Sequence, residues 1–157
     1  MISLQTRPEP VHLWLAAAGP NGGGVPAEQG DAPDLRTRSL RVLIVEDEFY
    51  ISLHTRGLLQ AMGHIVVAVA VSAEQAVSIT ERERPDVVLM DIRLVGARDG
   101  IDAADEISER FGIGSIFVTA NTDPQTRHRA EAVHSLGFLE KPLTEQRLRL
   151  GLSKVGA

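Results

Sequence analysis

From Arg41 onward, short unbroken apolar runs alternate with segments whose apolar positions recur every three or four residues. Val42 to Val45 is a continuous β-branched and leucine run, the pattern of a strand buried on both faces. Helical spacing follows, with Ile51, Thr55, Leu58, Leu59 and Met62 on one face and Gly63 as a stop. His64 to Val71 reads as a second strand. Ser72 is placed to cap a helix running to about Arg84, where Pro85 ends it. Val87 to Met90 is the third predicted strand, and a loop from Ile92 to Asp99 leads into a helix with Ile101, Ala104, Ile107 and Phe111 on one stripe. Ser115 to Thr119 is the fourth strand. Asp123-Pro124 opens a fourth helix that carries His128 and His134, proline being tolerated in a first turn. Gly137 to Glu140 makes a short fifth strand, and Thr144 caps a last helix bearing Leu148, Leu152 and Val155. Five strand–helix repeats predict an α/β fold built on one doubly wound, five-stranded parallel sheet.

Residues 1–39 have a different texture. They hold five of the 8 prolines and five of the 14 glycines, including Gly22-Gly23-Gly24. Such a stretch buries too little to offset its ordering entropy, so a weakly ordered extension is expected ahead of one domain over residues 40–157. A short apolar helix around Trp14 is compatible with it. Val11 to Ala18 has the look of a secretory core, but Glu9 and Pro10 precede it and Pro20 follows, so no processing is expected. No apolar run approaches the roughly 18–20 residues needed to span a bilayer. The chain has 157 residues, of which 43% are hydrophobic, enough for one domain with a real core. A net charge of −5 gives no basic footprint for nucleic acid. With no cysteine there is no disulfide framework and no thiolate ligand or nucleophile, and a cytoplasmic location is expected.

In open parallel sheets, functional groups gather outside the carboxyl ends of the strands. Glu46-Asp47, Asp91, Thr119 and Lys141 all fall at such ends. Three crowded carboxylates repel one another, and oxygen-only ligands favour a hard divalent cation, Mg2+. Asp47 and Asp91 are the expected direct ligands, Glu46 acts largely through water, and the backbone carbonyl of Arg93 is placed to add an oxygen. A cation there screens an incoming phosphoryl group and lets an aspartate act as a covalent nucleophile that forms an acyl phosphate. Asp91 suits that role because it ends the most apolar, hence most central, strand. Thr119 can hydrogen-bond one phosphoryl oxygen and Lys141 can pair with another. Singly, each residue has a plain explanation as a solvated loop acid, a strand threonine or a surface lysine. Their joint occurrence at four strand ends selects the chemistry.

On these residues the chain resembles the receiver domain of two-component response regulators, over about residues 41–156. The resemblance rests on Glu46-Asp47, the acceptor position Asp91, Thr119 followed by Ala120, and Lys141 before Pro142. It implies the flavodoxin-like (βα)5 receiver fold and a sensor histidine kinase or histidine phosphotransfer protein as phosphoryl donor. It also implies a switch in which Thr119 moves toward the phosphoryl group and the aromatic at Phe138 turns into the space vacated. The face of the fourth helix, fifth strand and fifth helix would then change shape toward a downstream partner or a second copy. The acceptor loop DIRLVGARDG departs from the family pattern, with Val95 in place of a common proline and one extra residue before Asp99-Gly100. Arg93 and Asn121, two residues past Asp91 and Thr119, occupy places that obstruct or orient attacking water.

Three other readings share parts of this pattern. A Mg2+-dependent aspartyl-nucleophile phosphohydrolase needs a second acid at position 93, where Arg93 stands. A flavodoxin-like mononucleotide binder needs hydroxyls and free N–H groups in the first loop, where Glu46, Asp47 and Glu48 stand. A phosphorylation-independent interaction module would not need the full set of acids, hydroxyl and lysine. Only one short helix follows Lys141, so a stand-alone, non-enzymatic receiver is expected.

Overall fold

The computed structural model describes residues 38–120 and 122–156, so the expected extension, its helix around Trp14, and Asn121 lie outside the described residues. Five strands and five helices alternate along the chain: β1 (Arg41–Val45), α1 (Phe49–Ala61), β2 (Ile65–Ala70), α2 (Ala73–Glu83), β3 (Val87–Asp91), α3 (Gly100–Phe111), β4 (Ser115–Thr119), α4 (Pro124–Ala132), β5 (Ser135–Glu140) and α5 (Glu145–Leu152). The strands form one parallel sheet in the order β2-β1-β3-β4-β5. This is the doubly wound arrangement that the alternation of runs predicts. β3 occupies the centre, and all five of its residues are buried.

Successive strand side chains point to opposite faces, and the core divides accordingly. Leu43, Val45, Val88, Met90 and Phe117 pack with Ala73, Ala76 and Val77 of α2 and Ile101, Ala104 and Ile107 of α3. Val42, Ile44, Leu89, Ile116 and Val118 pack on the other face with Leu59 of α1 and Leu148 and Leu152 of α5. Fully burying an aliphatic or aromatic side chain of this kind contributes about 1.5–3 kcal/mol. The central strands therefore fix the scaffold, and the edge strands β2 and β5 are only partly buried along most of their length.

Local chemistry sets the helix ends. Ser72 accepts from the main-chain N–H of Gln75, Asp123 from that of Thr126, and Thr144 from that of Arg147. α3 begins with a full capping box between Asp99 and Asp102. α2 closes at Arg84 in the left-handed region, with φ 46°. The Arg84 guanidinium lies 4.8 Å from the centre of the Phe111 ring.

Several boundaries differ from the sequence reading. β3 extends one residue further and ends on Asp91 itself, while β2 is shorter by one residue at each end. β5 starts two residues earlier than expected, at Ser135, because Gly137 with φ +135° sits inside the strand instead of at its start. α4 stops at Ala132, so His134 lies outside it, and Val155 lies beyond α5 although it still packs on the core. Both His128 and His134 are exposed.

Gly100 shows how tightly the end of β3 is held. Its N–H donates to the Ile92 carbonyl at 2.9 Å, and a Cβ at this position would stand 1.9 Å from the Asp91 carbonyl oxygen. Gly57, inside α1, has no atom within 4 Å of such a Cβ. We therefore expect Gly100→Ala to lower the unfolding free energy by roughly 1–3 kcal/mol or more, through overpacking against main chain. Gly57→Ala should raise it by roughly 0.5–1 kcal/mol, through helix propensity. Urea denaturation of the two variants checks both signs.

Candidate functional site

Strand register brings the polar ends together in a staircase. Val45 pairs with Met90, so Glu46 comes out beside Asp91. Asp91 pairs with Val118, so Thr119 follows one step on, and Thr119 pairs with Glu140, so Lys141 follows that. Main-chain bonds carry the sheet past its last paired residues. Glu46 N–H donates to Ala70 O at 2.9 Å, and Lys141 N–H donates to Thr119 O at 2.8 Å. Lys141-Pro142 is a cis peptide bond, and Leu143 just beyond it is buried in the core.

Carboxylate oxygens of Glu46, Asp47 and Asp91 lie within 4.8 Å of one another. Glu46 and Asp91 are buried and Asp47 is half-buried. The Lys141 ammonium stands 2.7 Å from Glu46 Oε2 and 3.0 Å from Asp91 Oδ2, with only 14% of its side chain exposed. Main-chain N–H groups complete the shell, from Glu48 to Glu46 Oε1 at 3.1 Å and from Arg93 to Asp91 Oδ1 at 3.0 Å. The main chain at residue 93 thus lies against the Asp91 carboxylate, while the Arg93 side chain is exposed.

Thr119 is nearly buried, and its Oγ1 accepts a hydrogen bond from Thr122 Oγ1 at 2.9 Å. Phe138 is half-buried on β5. Its ring stacks on Phe117 with centroids 5.7 Å apart, and the Arg127 guanidinium covers it at 4.9 Å. Thr119, Thr122, Arg127 and Phe138 share a cavity of about 380 Å³. The structure thus gathers Glu46, Asp47, Asp91 and Lys141 into one cluster. Thr119 opens the neighbouring strand end, and Phe138 lies three residues before the lysine on β5.

Three features of this neighbourhood were not read from the sequence. The Thr119–Thr122 hydroxyl pair and the Lys141–Glu46 contact depend on side-chain placement that spacing does not give. The third is a pair of exposed rings, Phe49 at 68% and Tyr50 at 82%, which meet edge to face at the start of α1. Their signal was available: a chain with 4 Phe, 1 Tyr and 1 Trp places two aromatics directly after its acid cluster.

Burial pushes the Glu46 carboxyl up, and the Asp91 charge adds to it, against the opposing hydrogen bonds from Lys141 and the main chain of Glu48. Burial alone would lower the Lys141 ammonium, but its hydrogen bonds to Glu46 and Asp91 outweigh that and raise it. A raised folded-state pKa means that the folded protein holds its proton longer than the unfolded chain. Lys141 therefore contributes stability that persists through neutral pH and is lost only in the alkaline range. Glu46 contributes stability below the ordinary carboxylate value of 4.5 that is lost as pH rises through its elevated value. Glu46→Gln removes that loss, so its stability relative to wild type should improve steadily from acid to neutral pH. Urea midpoints over that range check the trend, and a gap independent of pH would contradict it.

Comparison with known proteins places this geometry in a family. The family described as "Response regulator receiver domain" matches residues 42–152. The transcriptional regulatory protein PdtaR of Mycobacterium tuberculosis is 35% identical over 104 residues, which is 66% of this chain and 50% of PdtaR. The phyllosphere-induced regulator PhyR of Methylorubrum extorquens is 37% identical over 90 residues, 57% of this chain and 33% of PhyR. The chain thus spans half or less of the length of these curated relatives. Among solved structures, the signal receiver domain of a modulated diguanylate cyclase from Desulfovibrio desulfuricans superposes with a TM-score of 0.71 at 33% identity, covering 74% of this chain and 93% of that one. The receiver domain of Erythrobacter litoralis PhyR gives 0.65 at 32% identity, covering 74% and 89%. With residues 42–152 matched by the family model, the chain belongs to the response regulator receiver domain family of two-component signalling.

Proposed function

We propose that this chain is a phosphoacceptor of a two-component phosphorelay, with Asp91 as the residue that carries the phosphoryl group. The observation that carries this reading is the buried Asp91 carboxylate, paired with Lys141 at 3.0 Å and clustered with two further acids at the centre of the sheet edge. In the transfer, an Asp91 carboxylate oxygen attacks the phosphorus of a phosphohistidine. The new O–P bond forms as the P–N bond breaks, the bonding pair returns to the ring nitrogen, and the ring leaves as neutral imidazole with a proton taken from solvent on its other nitrogen. The donor is a sensor histidine kinase or a histidine phosphotransfer protein. Tyr50, Ile51 and His54 of α1, with Pro142 and Leu143, line a largely apolar hollow beside Lys141 that supports docking of such a donor.

The acid cluster fits Mg2+, since its donors are all hard carboxylate oxygens and two of the three are buried. Asp47 and Asp91 would hold the ion directly, with Glu46 acting through water and the Arg93 carbonyl as a further oxygen. When bound, the cation supplies neutralising charge for the phosphoryl oxygens. Lys141 then exchanges a carboxylate partner for a phosphoryl oxygen, and Thr119 donates its hydroxyl to another. Movement of Thr119 and Phe138 biases a two-state surface made of α4, β5 and α5, which binds a downstream protein or a second copy of the chain. We assign this unit to residues 40–157, with residues 1–39 as an extension to it, acting in the cytoplasm as a regulator without enzymatic turnover of its own. Among the described residues no helix is long and apolar enough to cross a membrane.

Asp91→Asn should abolish phosphoryl acceptance while keeping the fold. Intact mass after incubation with acetyl phosphate and Mg2+ reads this directly, and equal labelling of the variant would remove the assignment. A phosphotransfer profile against the host's histidine kinases would then identify the donor.

A further inference from the structure

The Thr119 hydroxyl, assigned above to a phosphoryl oxygen, already has a partner. Thr122 Oγ1 donates to it across 2.9 Å. Thr119 is only 9% exposed, so water offers it few alternatives, and a hydroxyl has one proton and two lone pairs to distribute. Thr122 directly precedes Asp123, the residue that caps α4 by accepting from the N–H and Oγ1–H of Thr126 at 2.9 and 2.6 Å. α4 itself is lightly attached: Ala130 is its one buried residue. Both threonines also line the cavity beside Phe138. A displacement at residue 122 is therefore transmitted to the start of α4 with almost no core to resist it.

We propose that Thr122 is a positioning residue whose hydroxyl, by donating to Thr119, holds that side chain in the resting arrangement, so that movement of Thr119 toward the phosphoryl group, to which it gives its own free proton, must break this bond. The proposal rests on the reading of Asp91 as phosphoacceptor. Breaking the bond frees the segment that leads into α4, and the strength of the hydroxyl pair sets how readily the protein switches. The net worth of one neutral hydrogen bond corresponds to roughly a 2- to 10-fold change in such an equilibrium.

Beryllofluoride with Mg2+, a phosphoryl mimic, provides the test. Thr122→Val should bind it roughly 2- to 10-fold more tightly than wild type, by the same bond's worth. Thr122→Ser, which keeps the hydroxyl, should return to the wild-type value, and the Thr122→Val effect should vanish in a Thr119→Val background. Unchanged or weaker binding by Thr122→Val, or an undiminished effect without the Thr119 hydroxyl, overturns the proposal. Hydrogen exchange of the resting protein gives a second readout that needs no phosphoryl mimic. Thr122→Val should speed exchange at the amides of residues 122, 123, 125 and 126, and unchanged exchange there also overturns the proposal. A wild-type protein that bound no beryllofluoride would remove the phosphoacceptor reading, while the exchange comparison would still decide the Thr119–Thr122 pair.

Discussion

Two like charges about 4 Å apart repel by roughly 4 kcal/mol at an effective dielectric of 20, and this sheet edge assembles three carboxylates at about that spacing. What makes the arrangement tolerable is the Lys141 ammonium, held between Glu46 and Asp91 at 2.7 and 3.0 Å. Its position is not left to a flexible side chain alone. The main chain of Lys141 is bonded to Thr119 O, and Leu143 anchors the following turn in the core. One ammonium offsets one of three formal negative charges. The remainder is a net negative charge concentrated at the centre of the sheet edge.

Much of this was legible in the chain. β3 could be read because a strand buried on both faces needs unbroken apolar residues, and Val87, Val88, Leu89 and Met90 supply them before the first acid. Caps were legible for a similar reason: Ser72, Asp123 and Thr144 have short side chains that reach back to main-chain N–H groups. The start of β5 was not, since Gly137 inside a strand carries the local signature of a turn. Pairing with β4 and a register shift after Ser115 override it.

The site divides along the same line. Residue type and order at the strand ends gave its members, because parallel register makes strand ends converge regardless of rotamer. They could not give who bonds to whom. Whether Lys141 reaches Glu46 as well as Asp91, and whether Thr119 leans on Thr122, depends on side-chain torsions that no spacing encodes. The exposed rings of Phe49 and Tyr50 belong to a third kind. Their composition signal was present, but helical periodicity alone gave no reason to look outside the buried stripe.

The helices are not held alike. α3 carries a capping box and five buried residues, whereas α4 buries Ala130 alone. Much of what ties α4 to its neighbours is ionic or polar: Arg129 to Asp99 at 2.9 Å and to Asp102 at 3.3 Å, and Arg127 over the Phe138 ring. Arg129 is 45% exposed, so its ion pairs are open to screening by dissolved salt, which the apolar contacts of α2 and α3 are not. The hold on α4 is thus partly a property of the medium. Ionic strength acts as an input to the seating of this helix, because little apolar burial backs its ion pairs.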